Sequence, residues 1–477
     1  MPDLPFAVTL NRAGPSPIHL QLAAQLREAA LAGQLLPGSL LPGTRTLARD
    51  LGVTRGVVEA AYALLSADGT LQGEVGRGTR VSRGVGRTAQ AAAPSPAWFA
   101  PRVPSPGMHS DERPGLHFRT GVTSAAMLNA QAWKRAWAYA ARQPVGGGYA
   151  DAAGLPELRA AVSAFVGRSR GLAATPDTLL LTAGTLQSLG LLARAVLPAG
   201  ATVLFENPGY RAGRAVLEGA GLRLVPLPVD EDGPVVDNLP PAHAVYVTPS
   251  HQFPLGSRLS LPRRLALLAW AERQGALILE DDYDGEFRYD VPPLPPLASL
   301  DTARRVVYLG TFSKVLSPAL RTGFVVAAPA LLAALSHERA LTDGGHAPAL
   351  QHALLHLLTS GEVDRHVRRA RRWHAQVREA LTAELSPLAP LATLRGIEAG
   401  LHVCLHLAPP LDAETVAQEL AERGVYVETL RTFTFTEPPK NALVLGYGGL
   451  TVKEAQAGAR RIREVVEAYS AGRKKSR

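Results

Sequence analysis

A lysine at the end of an apolar strand is the first candidate for covalent chemistry in this chain. The segment Thr311–Arg321 follows the apolar run Val306–Leu309, which predicts a buried strand. The chain has 50 lysine and arginine residues, but few of them are lysines, and Lys314 is one. A partly desolvated amine can form a Schiff base with a carbonyl carbon, whereas a guanidinium stays protonated. Lys314 is therefore a candidate nucleophile, although this segment alone is as consistent with a lysine that reaches solvent.

A run of carboxylates follows a second apolar strand. Ala276–Leu279 leads directly into Glu280, Asp281 and Asp282. Three adjacent carboxylates repel one another, so we expect a cation to neutralise at least one of them. A protonated pyridine nitrogen is such a cation, and a carboxylate held against it keeps the ring an electron sink. The sequence between this run and Lys314 leaves room for a crossover and a return strand.

The lysine and the acidic run together resemble the fold-type I pyridoxal phosphate enzymes, specifically their class I and II aminotransferase branch. The resemblance implies pyridoxal 5′-phosphate as cofactor, with Lys314 forming the internal aldimine. It implies that Asp281 pairs with the pyridine nitrogen and that Tyr283 hydrogen-bonds to the phenolic oxygen of the cofactor. It implies that Tyr210 stacks on the ring. The residues implied to surround the phosphate are Gly184, Thr185, Thr311, Ser313 and Arg321. Tyr149 resembles the tyrosine that reaches the neighbouring subunit's phosphate, which implies a homodimer.

Two segments depart from the aminotransferase pattern. Phe253–Gly256 replaces the usual Asn-Pro-Thr/Leu-Gly segment, so an asparagine contact is lost, which His251 or Gln252 could replace. Val444 stands about where many aminotransferases keep an arginine for the substrate carboxylate. Arg431 is the nearest candidate to bind a substrate or effector carboxylate instead, and it is equally well interpreted as a solvated surface arginine.

Strands alternate with helices from residue 115 to residue 470, which predicts a large α/β domain with a mostly parallel sheet. Ligands of such sheets bind beyond the carboxyl ends of the strands. Five successive strand ends here supply a helix start for a phosphate, an aromatic ring, polar groups, an acid and an amine. Each loop alone is ordinary, but their combination predicts a cofactor site. The family resemblance adds a smaller C-terminal α+β subdomain at about 360–470.

Residues 12–82 form a separate unit with the pattern of a winged helix-turn-helix. Helical spacing predicts helices over 18–31, 45–51 and 55–67, with a tight glycine turn before the last. Two short strands follow around a Gly-Arg-Gly turn, which predicts a hairpin wing.

This unit resembles the DNA-binding domain of GntR-type regulators over its whole length. The resemblance implies double-stranded operator DNA as partner, read by a helix in the major groove and by the wing. The residues predicted to contact DNA are Thr44, Arg45, Thr54, Arg55, Arg77, Gly78 and Thr79. Glu59 is a departure, since some members carry a DNA-contacting arginine there. The alternative is a small helical interaction domain, because the excess of basic residues in this segment is slight.

Composition narrows the class of protein further. The net charge of +9 and pI of 9.8 are compatible with a nucleic-acid partner. The single cysteine, Cys404, excludes an internal disulfide framework and a cysteine metal cluster, and no metal site is predicted. The start of the chain lacks signal-peptide features and no apolar run suits a membrane helix, so we expect a cytoplasmic protein without a membrane partner.

The order of these parts suggests a regulator. A Pro/Ala-rich linker at 83–114 joins the head at 12–82 to the aminotransferase-like domain at 115–470, and a basic tail spans 471–477. This arrangement resembles the MocR subgroup of GntR regulators over nearly the whole chain. It implies a transcriptional regulator whose operator binding is controlled by pyridoxal phosphate or its external aldimine with an amino compound, with at most weak transaminase activity. An active aminotransferase with an accessory DNA-binding domain is the alternative.

Overall fold

The chain folds as two compact units. The structure, a computed structural model, describes residues 4–74, 78–85, 113–124, 127–144, 146–289, 295–435 and 441–474. Its contacts divide the chain into Met1–Asp111 and Glu112–Arg477, which we call the head and the body. Among the helices of the described residues, none combines the length and the apolar composition needed to cross a membrane.

The head is a three-helix unit with a hairpin. Its elements are α1 (Ile18–Leu31), α2 (Thr44–Asp50), α3 (Arg55–Ala67), β1 (Leu71–Glu74) and β2 (Gly78–Val81). Apolar side chains three and four residues apart form one buried face on each helix, as in Leu22 and Leu26 of α1 and Val58, Ala61 and Leu65 of α3. The strands are antiparallel, with Leu71 opposite Val81. The predicted winged helix-turn-helix is confirmed.

The helix starts in the head differ in detail from the sequence-based expectation. The helix expected to begin at Arg45 begins one residue earlier, so Thr44 lies in its first turn and Gly43 occupies the capping position. Thr54 occupies the capping position before α3, and its side chain makes no capping hydrogen bond there.

The body contains the remaining elements of the described chain. Its helices are α4 (Ala130–Ala141), α5 (Pro156–Arg170), α6 (Thr185–Ala195), α7 (Arg211–Gly219), α8 (Leu261–Gln274), α9 (Pro329–Thr342), α10 (Pro348–Thr359), α11 (Glu362–Leu385), α12 (Ala413–Glu422) and α13 (Val452–Lys474). Its strands are β3 (Leu116–His117), β4 (Leu179–Thr182), β5 (Thr202–Asn207), β6 (Arg223–Asp230), β7 (Gly233–Pro234), β8 (Ala244–Val247), β9 (Leu277–Asp282), β10 (Val306–Thr311), β11 (Gly323–Val326), β12 (Ala392–Arg395), β13 (His402–Leu407), β14 (Val425–Tyr426), β15 (Glu428–Thr429) and β16 (Ala442–Gly446).

The large sheet has eight strands in the order β4-β11-β10-β9-β8-β5-β6-β7. Strands β10, β9, β8, β5 and β6 pair in parallel, whereas β11 is antiparallel to both of its neighbours. The predicted mostly parallel sheet is confirmed. Because parallel strands end at the same edge, the loops after β4, β5, β8, β9 and β10 converge there.

Helices cover both faces of the large sheet, which explains why its strands are continuous apolar runs. Successive side chains of a strand point to opposite faces. Tyr308 of β10 thus belongs to the core under α4, α5 and α10, while Val307 and Leu309 belong to the core under α6 and α9.

The small subdomain is a four-stranded antiparallel sheet, in the order β12-β13-β16-β15, packed against α11, α12 and α13. The start of the body also belongs to it, because β3 pairs in parallel with β14 and the fully buried Phe118 lies in its core. The small subdomain therefore includes residues 116–118 in addition to the predicted range of about 360–470.

Candidate functional site

A cavity of about 250 Å³ lies at the carboxyl edge of the large sheet, and most of the predicted cofactor residues line it. The predicted residues on its walls are Gly184, Thr185, Tyr210, Asp281, Tyr283, Thr311, Ser313, Lys314 and Arg321. The wall residues not assigned from the sequence are Thr120, Gly121, Leu186, Tyr246, Thr248, Phe253, Pro318, Leu401 and His402.

Lys314 follows β10 and holds its amine inside the cavity. The Nζ atom donates a hydrogen bond to the carbonyl oxygen of Gly121. Gly121 has a φ of +75°, and a Cβ there would lie 2.9 Å from Nζ, so the glycine makes room for the amine. Burial lowers the pKa of Lys314, while the charges of Asp281 and Asp284 oppose that shift. A lowered pKa increases the fraction of neutral, nucleophilic amine at physiological pH.

The acidic run at the end of β9 separates into two environments. Glu280 and Asp282 point to one face of the sheet and Asp281 to the other, as the period of a strand requires. Glu280 accepts the backbone amides of Leu297 and Ala298 at 2.6 and 2.8 Å. Two backbone amides therefore solvate the Glu280 carboxylate, which does not line the cavity.

Asp282 is neutralised by a buried guanidinium. Arg170 of α5 donates from Nε at 2.6 Å, and both side chains are about 1% exposed. The hydroxyl of Tyr308 donates to the same carboxylate oxygen at 2.8 Å. The expected cation for the acidic run is thus present for Asp282, and it comes from the protein itself.

Asp281 is the one member of the run whose carboxylate lines the cavity. The hydroxyl of Tyr246 donates to its Oδ2 at 2.7 Å, and Thr185 donates to Oδ1 at 3.4 Å. Burial raises the pKa of Asp281 to about 7, while the Tyr246 hydrogen bond and the Lys314 charge act in the opposite direction. A cationic ligand group in the cavity would hold this carboxylate ionised.

The loop and helix start after β4 form the polar end of the cavity. Gly184 has a φ of +98° and immediately precedes α6, whose first amides have no partner within the helix. Thr311 accepts the amide of Ser313 on its hydroxyl at 3.1 Å. Arg321 has a φ of +47°, and its carbonyl oxygen lies 3.1 Å from Nε2 of His346. Helix amides, hydroxyl groups and a guanidinium are suitable ligands for a phosphate.

Tyr283 is positioned by hydrogen bonds to His251. Its hydroxyl donates to the carbonyl oxygen of His251 at 3.0 Å and lies 3.1 Å from Nδ1 of that ring. The same Nδ1 lies 2.9 Å from Oδ2 of Asp284. Neither His251 nor Gln252 lines the cavity, and Gln252 donates to the carboxylate of Glu206 at 3.1 Å. In the described structure these two side chains therefore do not replace the missing asparagine contact directly.

His402 contributes a ring to the cavity wall near His251. Its Nε2 lies 3.1 Å from the carbonyl oxygen of Pro254, and burial lowers its pKa to about 3. The ring is therefore neutral at physiological pH. Ligand atoms of His251, Asp284 and His402 lie within 4.8 Å of one another, and within this group His251 and Asp284 are hydrogen-bonded. The prediction of no metal site stays a prediction.

Aromatic rings form a further wall. Tyr210 precedes α7, and its ring meets that of Phe253 edge-on at 6.1 Å. A Cβ on Gly213 would lie 2.8 Å from the Tyr210 ring, so the glycine permits this position. Phe253 also meets Tyr283 edge-on at 5.9 Å. The rings form a pocket in which a flat heteroaromatic ligand could stack.

Sequence reasoning missed Tyr246 although a signal was available. Tyr246 lies between Val245 and Val247 in a strand that is buried throughout, and its buried hydroxyl group needs a hydrogen-bond partner. Thr120 and Gly121 gave no local signal, because they reach the cavity through the pairing of β3 with the distant β14.

Two other predicted residues lie outside the cavity. Tyr149 is fully exposed and does not line it. Arg431 does not line it either, since its side chain is 59% exposed and its Nε lies 3.8 Å from Glu414. Val444 is fully buried in β16, opposite Cys404 of β13.

The predicted DNA-contacting residues lie at the start of helices and in the hairpin of the head. Arg45 and Arg55 are exposed, at the beginning of α2 and α3. Arg55 donates to Glu59 at 2.7 Å, one helical turn away. Gly78 and Thr79 begin β2, and Arg77 lies outside the described residues.

Comparisons with known proteins match both units. Residues 18–81 match the family of bacterial regulatory proteins, gntR family, and residues 120–462 match aminotransferase class I and II. The probable rhizopine catabolism regulatory protein MocR of Rhizobium meliloti is 34% identical over 480 residues, which cover 96% of this chain and 95% of that protein. The HTH-type pyridoxine biosynthesis transcriptional regulator PdxR of Corynebacterium glutamicum is 36% identical over 447 residues, covering 94% and 95%.

A solved structure extends the likeness to a ligand-bound relative. The α-aminoadipate aminotransferase LysN of Thermus thermophilus, complexed with N-(5′-phosphopyridoxyl)-L-leucine, is 28% identical with a TM-score of 0.68. The match covers 75% of this chain and 93% of that chain.

Proposed function

The chain belongs to the MocR-type regulators of the GntR family, and we propose that pyridoxal phosphate, alone or joined to an amino compound, controls its binding to operator DNA. The observation that carries the proposal is the shared cavity of Lys314, Asp281 and Arg321 in a chain that also has a helix-turn-helix head.

The donor set of the cavity fits this cofactor. Gly121 leaves space for the lysine amine, as the 2.9 Å approach of a Cβ there indicates. The carboxylate suits a protonated pyridine nitrogen, and the helix N-terminus with its guanidinium suits a phosphate. The aromatic wall suits a flat ring. The solved relative with a phosphopyridoxyl ligand supports the same assignment.

Each residue has a distinct task in this proposal. When bound, the cofactor supplies a reactive carbonyl and an electron-poor ring. Lys314 provides the amine for covalent attachment, and Asp281 holds a proton on the ring nitrogen. Tyr283 donates to the phenolic oxygen, while the backbone of His251 keeps its hydroxyl in position. Tyr210 stacks on the ring.

The polar end completes the proposed cofactor contacts. The residues proposed to hold the phosphate are Gly184, Thr185, Thr311, Ser313 and Arg321. Their amides, hydroxyl groups and guanidinium spread the negative charge over many donors. Tyr149, exposed on a single chain, is proposed to reach the phosphate of a partner subunit in a homodimer.

DNA binding is assigned to the head. Arg45 and Arg55 would contact phosphates and base edges from α2 and α3, and Gly78 and Thr79 would follow the adjacent minor groove. Such contacts supply both positioning and base recognition.

Control requires two arrangements of the protein that the ligand favours unequally. The contact between Lys314 and Gly121 offers one physical route, because a covalent bond to Nζ changes the group that meets this carbonyl. Residues 116–118 just before it belong to the small subdomain, and the chain before them leads to the head. A typical coupling free energy is about 1–3 kcal/mol.

An active aminotransferase is the second candidate. The observation that favours it is that amine, carboxylate and guanidinium all remain on the cavity walls, which is the set that amino-group transfer needs. Sustained turnover of an amino donor and a keto acid would support it.

The test is a titration of promoter DNA from the region next to the protein's own gene, with and without saturating pyridoxal phosphate. Lys314→Ala should abolish the borohydride-reducible linkage and the cofactor-dependent change in affinity. Lys134→Ala, an exposed lysine on α4, is the matched control and should leave both intact. Equal DNA affinity in all conditions, together with sustained transamination, would contradict the regulator and favour the enzyme.

A further inference from the structure

The charges on the cavity walls are few, and the proposed cofactor uses all of them. Of the described residues lining the cavity, the carboxylate, the amine and the guanidinium belong to Asp281, Lys314 and Arg321. The proposed function assigns these groups to the ring nitrogen, the covalent linkage and the phosphate. No cation on the described walls is then left for a carboxylate of a further ligand.

The positions where a carboxylate clamp was expected do not supply one. Val444 is buried inside the small sheet. Arg431 has a mostly exposed side chain near Glu414. Arg119 precedes the wall residue Thr120 but does not itself line the cavity.

The other residues of the cavity wall supply no positive charge. Phe253 and Leu401 are apolar, and the His402 ring is neutral because burial lowers its pKa to about 3. The hydroxyl of Thr120 donates to Oε2 of Glu428 at 2.8 Å, so a carboxylate lies directly behind that wall.

A ligand carboxylate in such a place would lose its hydration without gaining a cation. Burying an unpaired charge is strongly unfavourable, and the repulsion of Glu428 adds to it. An amine without a carboxylate does not meet this cost.

We infer that the cavity selects against carboxylates, so that its effector is pyridoxal phosphate alone or joined to a carboxylate-free amine, and not an adduct with an α-amino acid. This inference rests on the proposed function, because it takes Lys314, Asp281 and Arg321 as cofactor ligands. It narrows the class of effector that the regulator senses.

The test compares pairs of amines that differ by one carboxylate. The probes are alanine with ethylamine, and lysine with 1,5-diaminopentane, added to the full chain loaded with pyridoxal phosphate. The readout is the visible absorbance of the cofactor linked to Lys314, and each value is normalised to the reaction of that amine with free pyridoxal phosphate. We expect the carboxylate-free member to displace Lys314 at an at least about tenfold lower normalised concentration, corresponding to about 1.4 kcal/mol.

Two variants separate the wall charge from general effects. Glu428→Gln removes the negative group behind Thr120 and should reduce the discrimination a few-fold. Glu414→Gln removes an exposed carboxylate near Arg431 and should leave the discrimination unchanged. Equal or better normalised reaction of alanine and lysine in the wild-type protein would overturn the inference, even with the cofactor bound at Lys314. Failure of pyridoxal phosphate to attach to Lys314 at all would instead overturn the proposed function.

Discussion

The buried carboxylate of Asp281 should make the cofactor-free protein less stable at neutral pH than at mildly acidic pH. Burial raises its pKa from 3.8 to about 7, although the hydrogen bond from Tyr246 acts in the opposite direction. We therefore expect Asp281→Asn to stabilise the cofactor-free protein. The amide has nearly the same shape, its oxygen can still accept from Tyr246, and it does not titrate.

The magnitude follows from proton linkage. Below about pH 4 the Asp281 carboxyl group is protonated in both folded and unfolded protein. Between pH 4 and 7 the unfolded chain releases this proton first, so the free energy of unfolding falls by up to about 1.4 kcal/mol per pH unit. Above pH 7 the cost is constant, with a ceiling of about 4 kcal/mol. A weaker hydrogen bond from Tyr246 to an amide offsets about 1 kcal/mol, so we expect a net gain of about 1–3 kcal/mol at pH 8.

The assay is urea unfolding of cofactor-free wild type and Asp281→Asn at pH 5 and pH 8. The other buried carboxyl groups with raised pKa values, including Glu206 and Glu280, are common to both proteins and cancel in the difference. The stability advantage of the variant should grow between the two pH values by up to about 2.7 kcal/mol. Added pyridoxal phosphate should stabilise wild type more than the variant, because the carboxylate then faces a cationic ring nitrogen. A pH-independent difference, or a variant that is less stable at pH 8, would refute the reasoning.

Three further changes test other parts of the molecule, and a fourth tests the cavity. Arg55→Ala should weaken specific DNA binding by about 1–3 kcal/mol if the guanidinium reads a base edge, and fluorescence anisotropy with unrelated DNA as control measures this. Glu59→Gln should strengthen DNA binding and steepen its salt dependence, because it removes the carboxylate that lies 2.7 Å from Arg55 and so frees the guanidinium for DNA; unchanged binding would indicate that Arg55 is not at the interface. Arg170→Met leaves Asp282 buried without its cation and should cost about 3–5 kcal/mol in urea unfolding, whereas a loss below about 1 kcal/mol would show that the carboxyl group protonates instead. Gly121→Ala should reduce covalent cofactor attachment measured by borohydride trapping, since its Cβ would lie 2.9 Å from the lysine amine.

The sequence predicted the large sheet and the edge at which the cavity lies. Apolar runs that end in chemically distinct residues, such as Asp281 and Lys314, are local signals, and a parallel sheet gathers the ends of its strands at one edge. Nine predicted residues therefore line the same cavity. The helices of the head were equally readable, because the spacing of their apolar residues is local.

The contacts that depend on distant pairing could not be predicted. Arg170 neutralises Asp282 from α5, and nothing in either segment indicates the other. Thr120 and Gly121 reach the cavity because β3 pairs with β14. The apolar run before the acidic residues does not show which of them faces the cavity, since a shift of one residue would expose Glu280 and Asp282 instead. The family resemblance selected Asp281, and Asp281 lines the cavity.

These arrangements together explain how binding energy could be available for control. The cavity of the cofactor-free protein holds a carboxylate and an amine that burial disfavours in their charged forms, and their mutual attraction compensates only in part. A ligand with a cationic ring nitrogen and a reactive carbonyl would remove both costs at once, because the nitrogen would pair with the carboxylate and the carbonyl would react with the amine. Only the part of that relief that differs between two arrangements of the body can shift their populations, because a ligand with equal affinity for both shifts nothing. The Lys314–Gly121 contact is where such a difference can arise, since it joins the reacting amine to a segment anchored in the small subdomain by Phe118.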